Sequence, residues 1–150
     1  MLRITDEKGF KQALNDLDIH KQRVMGAMFV ERVLELFNDE RVRRAVKVAQ
    51  NIGVSEEELQ AAYKSARSAS IESFTRCGAD GDWKEQAGHF VANAAAACVI
   101  PVEQIRKNNP AWEAAMNCRM ARSCEAIANE ETSNEEDHHQ YWVLSEFLTQ

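Results

Sequence analysis

Only two prolines and six glycines occur among the 150 residues. A fold of many tight turns needs more of both, because glycine supplies positive φ and proline presets the first turn angle. Their scarcity points to long helices joined by few connections. Where those helices should end, the chain carries capping residues instead.

Thr5 can cap a first helix whose opening turn holds Asp6 and Glu7, with Phe10, Ala13, Leu14 and Leu17 at helical spacing. A second helix is expected from near Asp18 through Phe37, its stripe made by Ala27, Val30, Leu34 and Phe37. Asp39 caps a third helix reaching Ile52, with Gly53 placed as a C′ glycine. Ser55 and Glu58 form a capping box for a fourth, which ends between Phe74 and Cys77. Gly78-Ala79-Asp80-Gly81 is the one glycine-rich loop; it has no lysine and no preceding strand, so it reads as a turn.

Asp82 and Glu85 open a fifth helix that runs to about Ala97, and a single helical turn is expected over Val102 to Arg106. Asn109 followed by Pro110 is a cap with an N1 proline, starting a sixth helix to about Asn129. Ser133 with Glu136 reads as the capping box of a last helix ending at Leu148. No alternating apolar and polar segment interrupts this series. The predicted fold is all-α, a single domain of about seven antiparallel helices. Helices four to six share alanine-lined faces (Ala62 and Ala66; Ala94 and Ala95; Ala114 and Ala115), so their axes can approach closely.

Charge narrows the function. A net charge of −6 disfavours gripping nucleic acid or an anionic membrane, which needs clustered cations, and leaves room for a basic protein partner. The longest low-polarity run, Ala94 to Pro101, is too short to span a bilayer, and the start lacks a secretory signal. A cytoplasmic location is therefore expected, with Cys77, Cys98, Cys118 and Cys124 as reduced, packed thiols.

Five acids concentrate in eight residues: Glu130, Glu131, Glu135, Glu136 and Asp137. They read as a solvated loop and helix start, and equally as a surface that would steer a basic partner. Glu135-x-x-His138 and Glu136-x-x-His139 have the spacing used by di-iron bundles, but the partner motifs such a site needs are missing. His89 reads as a hydrogen-bonded, half-buried residue. Cys98 lies in an apolar run that should raise its pKa rather than activate it. Arg41, Arg43, Arg44 and Lys47 form a solvated basic face paired with Glu35, Asp39 or Glu40. No motif asks for an enzyme, a cofactor or a metal. Trp112 and Trp142 are the candidate aromatic anchors, with Trp142 expected in the core.

Read as a whole, the chain resembles a family of immunity proteins found beside bacterial polymorphic and contact-dependent toxins. The likeness rests on Phe10…Ala13-Leu14, Glu31-Arg32-Val33-Leu34…Phe37, Arg41-x-Arg43-Arg44-Ala45…Ala49, Ala87-Gly88-His89, the alanine-rich stretch to Cys98, and Gln140-x-Trp142…Phe147-Leu148. It departs from the family pattern where the third helix ends, with Ile52 or its neighbour in place of an expected tryptophan, and in the run from Asn93 to Cys98, which replaces a second histidine. The resemblance implies a cytosolic, non-enzymatic protein that binds and neutralises a cognate toxin. Glu130, Glu131, Glu135, Glu136, Asp137 and Trp112 are the candidate contacts. Two other readings stand beside it: a helical module that self-associates as a homodimer, and a metal-dependent helical enzyme using His89, Glu85 and the Glu135 to His139 cluster.

Overall fold

The helix ends follow from local side-chain chemistry, one cap at a time. The computed structural model describes residues 3–77, 82–131 and 133–149, the side chains of Arg76 and Cys77 excepted. The expected turn at Gly78 to Gly81 and the expected packing of the Cys77 thiol lie outside the described residues. Among the described residues the chain forms seven α-helices and no strand: α1 (Glu7–Asn15), α2 (Ile19–Glu31), α3 (Glu40–Gln50), α4 (Glu56–Cys77), α5 (Trp83–Cys98), α6 (Pro110–Ala128) and α7 (Glu136–Leu148). Two 3-10 turns, Leu34–Leu36 and Val102–Gln104, join them. The predicted all-α fold is the observed one. No helix among the described residues is long and apolar enough to cross a membrane.

Asp18, Asp39, Asp82 and Asn109 cap α2, α3, α5 and α6, each side chain accepting a backbone N–H of the first turn. Ser55 caps α4 by accepting the Glu58 N–H at 3.1 Å, while its hydroxyl donates to the Glu58 carboxylate at 3.4 Å. Four expected boundaries move. Asp6, not Thr5, caps α1, accepting from Gly9 N–H at 2.8 Å. The long second helix stops at Glu31, because Arg32 and Val33 turn into the Leu34–Leu36 segment that swings Phe37 against α5. α3 stops at Gln50, with extended Asn51 accepting from Gly53 N–H at 3.0 Å in place of a left-handed glycine. α7 starts at Glu136, whose N–H is accepted by Asn134 at 3.0 Å, so Ser133 makes no capping box.

The core sits where α2, α5 and α6 meet. Ala94, Ala95 and Cys98 of α5 and Ala111, Ala114, Ala115 and Cys118 of α6 are all buried. Small side chains bring the axes together, as the alanine pattern predicts. Gly26 completes the arrangement on α2. A Cβ there would meet the Cys98 sulfur at 3.0 Å and the Ala114 methyl at 3.3 Å. The larger apolar groups Phe10, Phe29, Met25 and Leu144 fill the perimeter of this alanine seam. α4 packs on α5, and α3 on α2 and α4, so the molecule is a stack of antiparallel helix pairs.

Buried polar groups hold the edges. Arg23 lies buried with its guanidinium donating to the Cys98 carbonyl at 3.1 Å, at the negative end of the α5 dipole. Gln140, fully buried, donates to the Ala115 carbonyl at 3.0 Å and accepts from Arg119 at 2.8 Å. Arg119 in turn grips both Glu7 oxygens, at 2.6 and 2.9 Å, and lies over the Phe10 and Tyr141 rings. These bonds fix α7 and α1 to α6.

Candidate functional site

The acidic segment between α6 and α7 divides in two. Glu130, Glu131 and Glu135 are exposed, and Asp137 is half-buried. Glu136 is only 2 % exposed and belongs to the interior. Its carboxylate receives Arg32 at 2.9 and 3.3 Å, and Arg122 stands 3.6 Å from the same group. Arg122 also donates to the Arg32 carbonyl at 2.6 Å and pairs with Glu35 and Glu125, both at 2.9 Å. Glu136 is therefore a buried anchor of α7, not part of a partner-facing surface. The reason is geometric. At the first position of α7 its side chain points back toward the α2–α6 seam, where two arginines wait.

The tryptophans exchange their expected roles. Trp112 is half-buried against Phe10, 6.1 Å between ring centroids, with the Lys11 ammonium 4.8 Å above its ring. It caps the apolar perimeter rather than standing free for a partner. Trp142, expected in the core, is 62 % exposed. On α7 the interior is reached by Glu136, Gln140, Tyr141 and Leu144, and position 142 falls outside that stripe.

His89 is satisfied on both ring nitrogens. Its Nδ1 lies 2.9 Å from the Ser70 carbonyl and 3.1 Å from the Ser70 hydroxyl, and its Nε2 faces the Asn93 amide at 3.2 Å. Ser70 donates to the Asn93 carbonyl oxygen. This closed set suits Nδ1–H donating to the Ser70 carbonyl and Nε2 accepting from the Asn93 amide. The ring is flanked by Phe74 and Phe90 at 5.2 and 5.3 Å between centroids. Among the described residues, no group of three or more His, Cys, Asp or Glu is placed to hold a metal ion. Cys98, Cys118 and Cys124 are buried; burial pushes the Cys98 thiol up to about 12 and that of Cys118 well above its ordinary range.

Two of the four cations on the basic face of α3 are paired within the molecule, and Arg44 and Lys47 are exposed. Arg41 bridges Asp39 and Glu72, and Arg43 pairs with Glu40 at 2.8 Å. The guanidinium hydrogen bonds beside Asp39 hold its carboxyl below the usual range, and Arg119 does the same for Glu7.

Two surface features escape the sequence reading. Ile71 and Phe74, three residues apart on α4, are 56 % and 65 % exposed, with half-buried Phe90 of α5 joined to Phe74 through the His89 ring. One turn along both helices lies a groove of about 460 Å³, reached from Tyr63 and Arg67 of α4, Asn93 of α5, Arg106 and Lys107 of the α5–α6 connection, and Asn117 of α6. The Ser70–Asn93–His89 bonds connect the apolar and the basic ends. The available signal was helical phase. The buried stripe of α4 runs Ala62, Ala66, Ala69 and Ser73, and Arg67, Ile71 and Phe74 fall off it together.

Comparison of the chain with protein-family models, with curated proteins and with solved structures returned no match.

Proposed function

We propose that this protein is an immunity protein, a non-enzymatic helical module of the cytosol that binds a cognate toxin and neutralises it by contact. The observation that carries this reading is the α4–α5 face. Two large apolar side chains, Ile71 and Phe74, stand more than half exposed, on the same side of α4 as Arg67, which lines a polar, cation-lined groove. An apolar centre bordered by polar groups is the usual anatomy of a protein-binding surface. The likeness to immunity proteins, spread over the chain from Phe10 to Leu148, supports a toxin as the partner. Neutralisation by contact needs no reacting group. Affinity comes from a few buried anchors, and charge sets the rate of encounter.

The test is co-expression with the toxin domain encoded beside this gene. The wild-type protein should rescue growth and co-purify with the toxin. The double variant Ile71→Ser with Phe74→Ser should lose rescue while keeping its helical circular dichroism and its Tm. Failure of the wild-type protein to protect against that toxin would sink the reading.

Self-association is the second reading, and exposed Trp142 beside Arg3, His138 and Tyr141 favours it. Light scattering after size exclusion decides it. A dimer that becomes a monomer on Trp142→Ala would place the contact on α7.

A further inference from the structure

We propose that the groove between α4, the α5–α6 connection and α6 is a docking site for an acidic segment of a protein partner; the proposal deepens the immunity reading and rests on it for the partner's identity. The charge pattern is the first argument. In a chain of net charge −6, three cations, Arg67, Arg106 and Lys107, line one groove, and no ion pair among the described residues joins any of them. By contrast, Arg32, Arg41, Arg43, Arg119 and Arg122 are all paired. The one carboxylate among the described residues of the groove wall, Glu113, already accepts from the Asn108 amide at 2.9 Å.

The second argument is the helix that forms the far wall. α6 begins at Pro110, so Arg106 and Lys107 precede its N-terminus, the positive end of its dipole. Cations there weaken the helix slightly and add to its attraction for anions. All three cations are exposed and free to move onto a ligand.

Two features favour a peptide over a polyphosphate. Outside the groove, Ile71 and Phe74 lie on the same exposed side of α4 as Arg67, with Phe90 on α5, and these suit apolar side chains about two turns away from the carboxylates. The chain as a whole carries a net charge of −6, which opposes the long-range hold on a nucleic-acid strand running beyond the groove. Tyr63 adds an aromatic wall. The ligand class is thus a short segment with two or more Asp or Glu followed by a bulky apolar residue.

The experiment is an NMR titration of the full-length, isotope-labelled protein with a synthetic peptide of about eight residues bearing Glu at one end and Leu and Phe at the other. Backbone amides of Arg67, Asn93 and Gln104 to Asn108 should shift, with affinity falling at least about tenfold between 50 and 500 mM salt. Arg67→Glu combined with Lys107→Glu should weaken binding at least about tenfold without moving the far-ultraviolet spectrum. No shift at these amides, an equal response to a lysine-rich control peptide, or tighter binding of oligothymidine or inorganic phosphate overturns the proposal. The rescue assay separates the two layers. If wild type and the charge-reversed variant rescue equally, the groove proposal falls and the immunity reading stands. If the peptide docks but wild type fails to rescue, the immunity reading falls and the groove stands.

Discussion

Glu130 occupies a backbone position that suits glycine. Its φ of 61° lies in the left-handed region, and it sits just past the end of α6. Glu130 N–H donates to Ile127 O at 3.1 Å and Glu131 N–H to Ala126 O at 2.7 Å, the paired bonds of a Schellman ending. A residue with a Cβ loses about 1–2 kcal/mol there. Glu130→Gly should therefore stabilise the protein by about 0.5–1 kcal/mol after the added freedom of glycine in the unfolded chain is counted, raising Tm by about 1–4 °C in calorimetry. A lower Tm would show that the glutamate side chain supplies a compensating contact. Six positions further on, Glu136 poses the opposite case. Removing it takes away the buried carboxylate that Arg32 grips and Arg122 approaches, while Arg122 keeps Glu35 and Glu125, so Glu136→Ala should cost about 2–4 kcal/mol in urea unfolding. Glu135→Ala, on an exposed neighbour, should stay within about 0.5 kcal/mol. Equal costs for the two would refute the buried anchor. A run of acids gives no hint of this difference, because Glu135 and Glu136 have identical chemistry and only the helix start decides which one turns inward.

At the scale of elements, most helix starts set by a single side chain accepting a local N–H were readable: Asp39, Ser55, Asp82 and Asn109 are the expected caps and α2 starts beside Asp18, while at α1 Asp6 takes the place expected of its neighbour Thr5. Boundaries set by tertiary packing were not. The break after Glu31 lies inside an unbroken apolar stripe, and what bends it is Phe37 seating against Gly88, where a Cβ would meet the Phe37 ring at 2.9 Å. The candidate site was half legible for the same reason: the acids could be located, but not which of them α6 and α2 would bury. The α3 start offers a test with a pH axis. Asp39 both caps the helix and pairs with Arg41 at 2.9 Å, and its carboxyl is held below its usual value of 3.8. A depressed folded pKa means stability that is present above the unfolded pKa and lost as pH falls through the folded one. Asp39→Asn keeps the cap and removes the charge. The variant should be less stable at pH 7 by about 0.5–1 kcal/mol, and its urea midpoint should fall less steeply than wild type between about pH 5 and 3. Parallel slopes would mean that the ion pair contributes nothing to the acid response.

For the whole molecule, the charge map has two poles joined by one helix. Arg106 and Lys107 precede the start of α6, and Glu130, Glu131 and Glu135 follow its end. Nineteen residues at 1.5 Å each separate them by roughly 28 Å, about three Debye lengths at physiological salt, so each pole acts on a partner independently. Each pole also has the same sign as the helix end it adjoins, an arrangement that opposes helix stability and is consistent with charges kept for an external partner. The apolar Ile71 and Phe74 lie nearer the basic pole, through the Asn93–His89 linkage. On the proposed immunity reading this geometry divides the labour of binding: the acids act at long range on the approach of a basic partner surface, and the α4–α5 face holds it once docked. Reversing Glu130, Glu131 and Glu135 to Lys should lower the association rate by about tenfold or more at low salt, leave dissociation within about twofold, and lose its effect near 0.5 M salt. Phe74→Ala should do the converse, leaving association nearly unchanged and speeding dissociation by about tenfold or more. Surface plasmon resonance with the neighbouring toxin domain reads both rates. If the triple reversal instead speeds dissociation, the acids are contacts rather than guides, and the docked partner covers the α6–α7 corner.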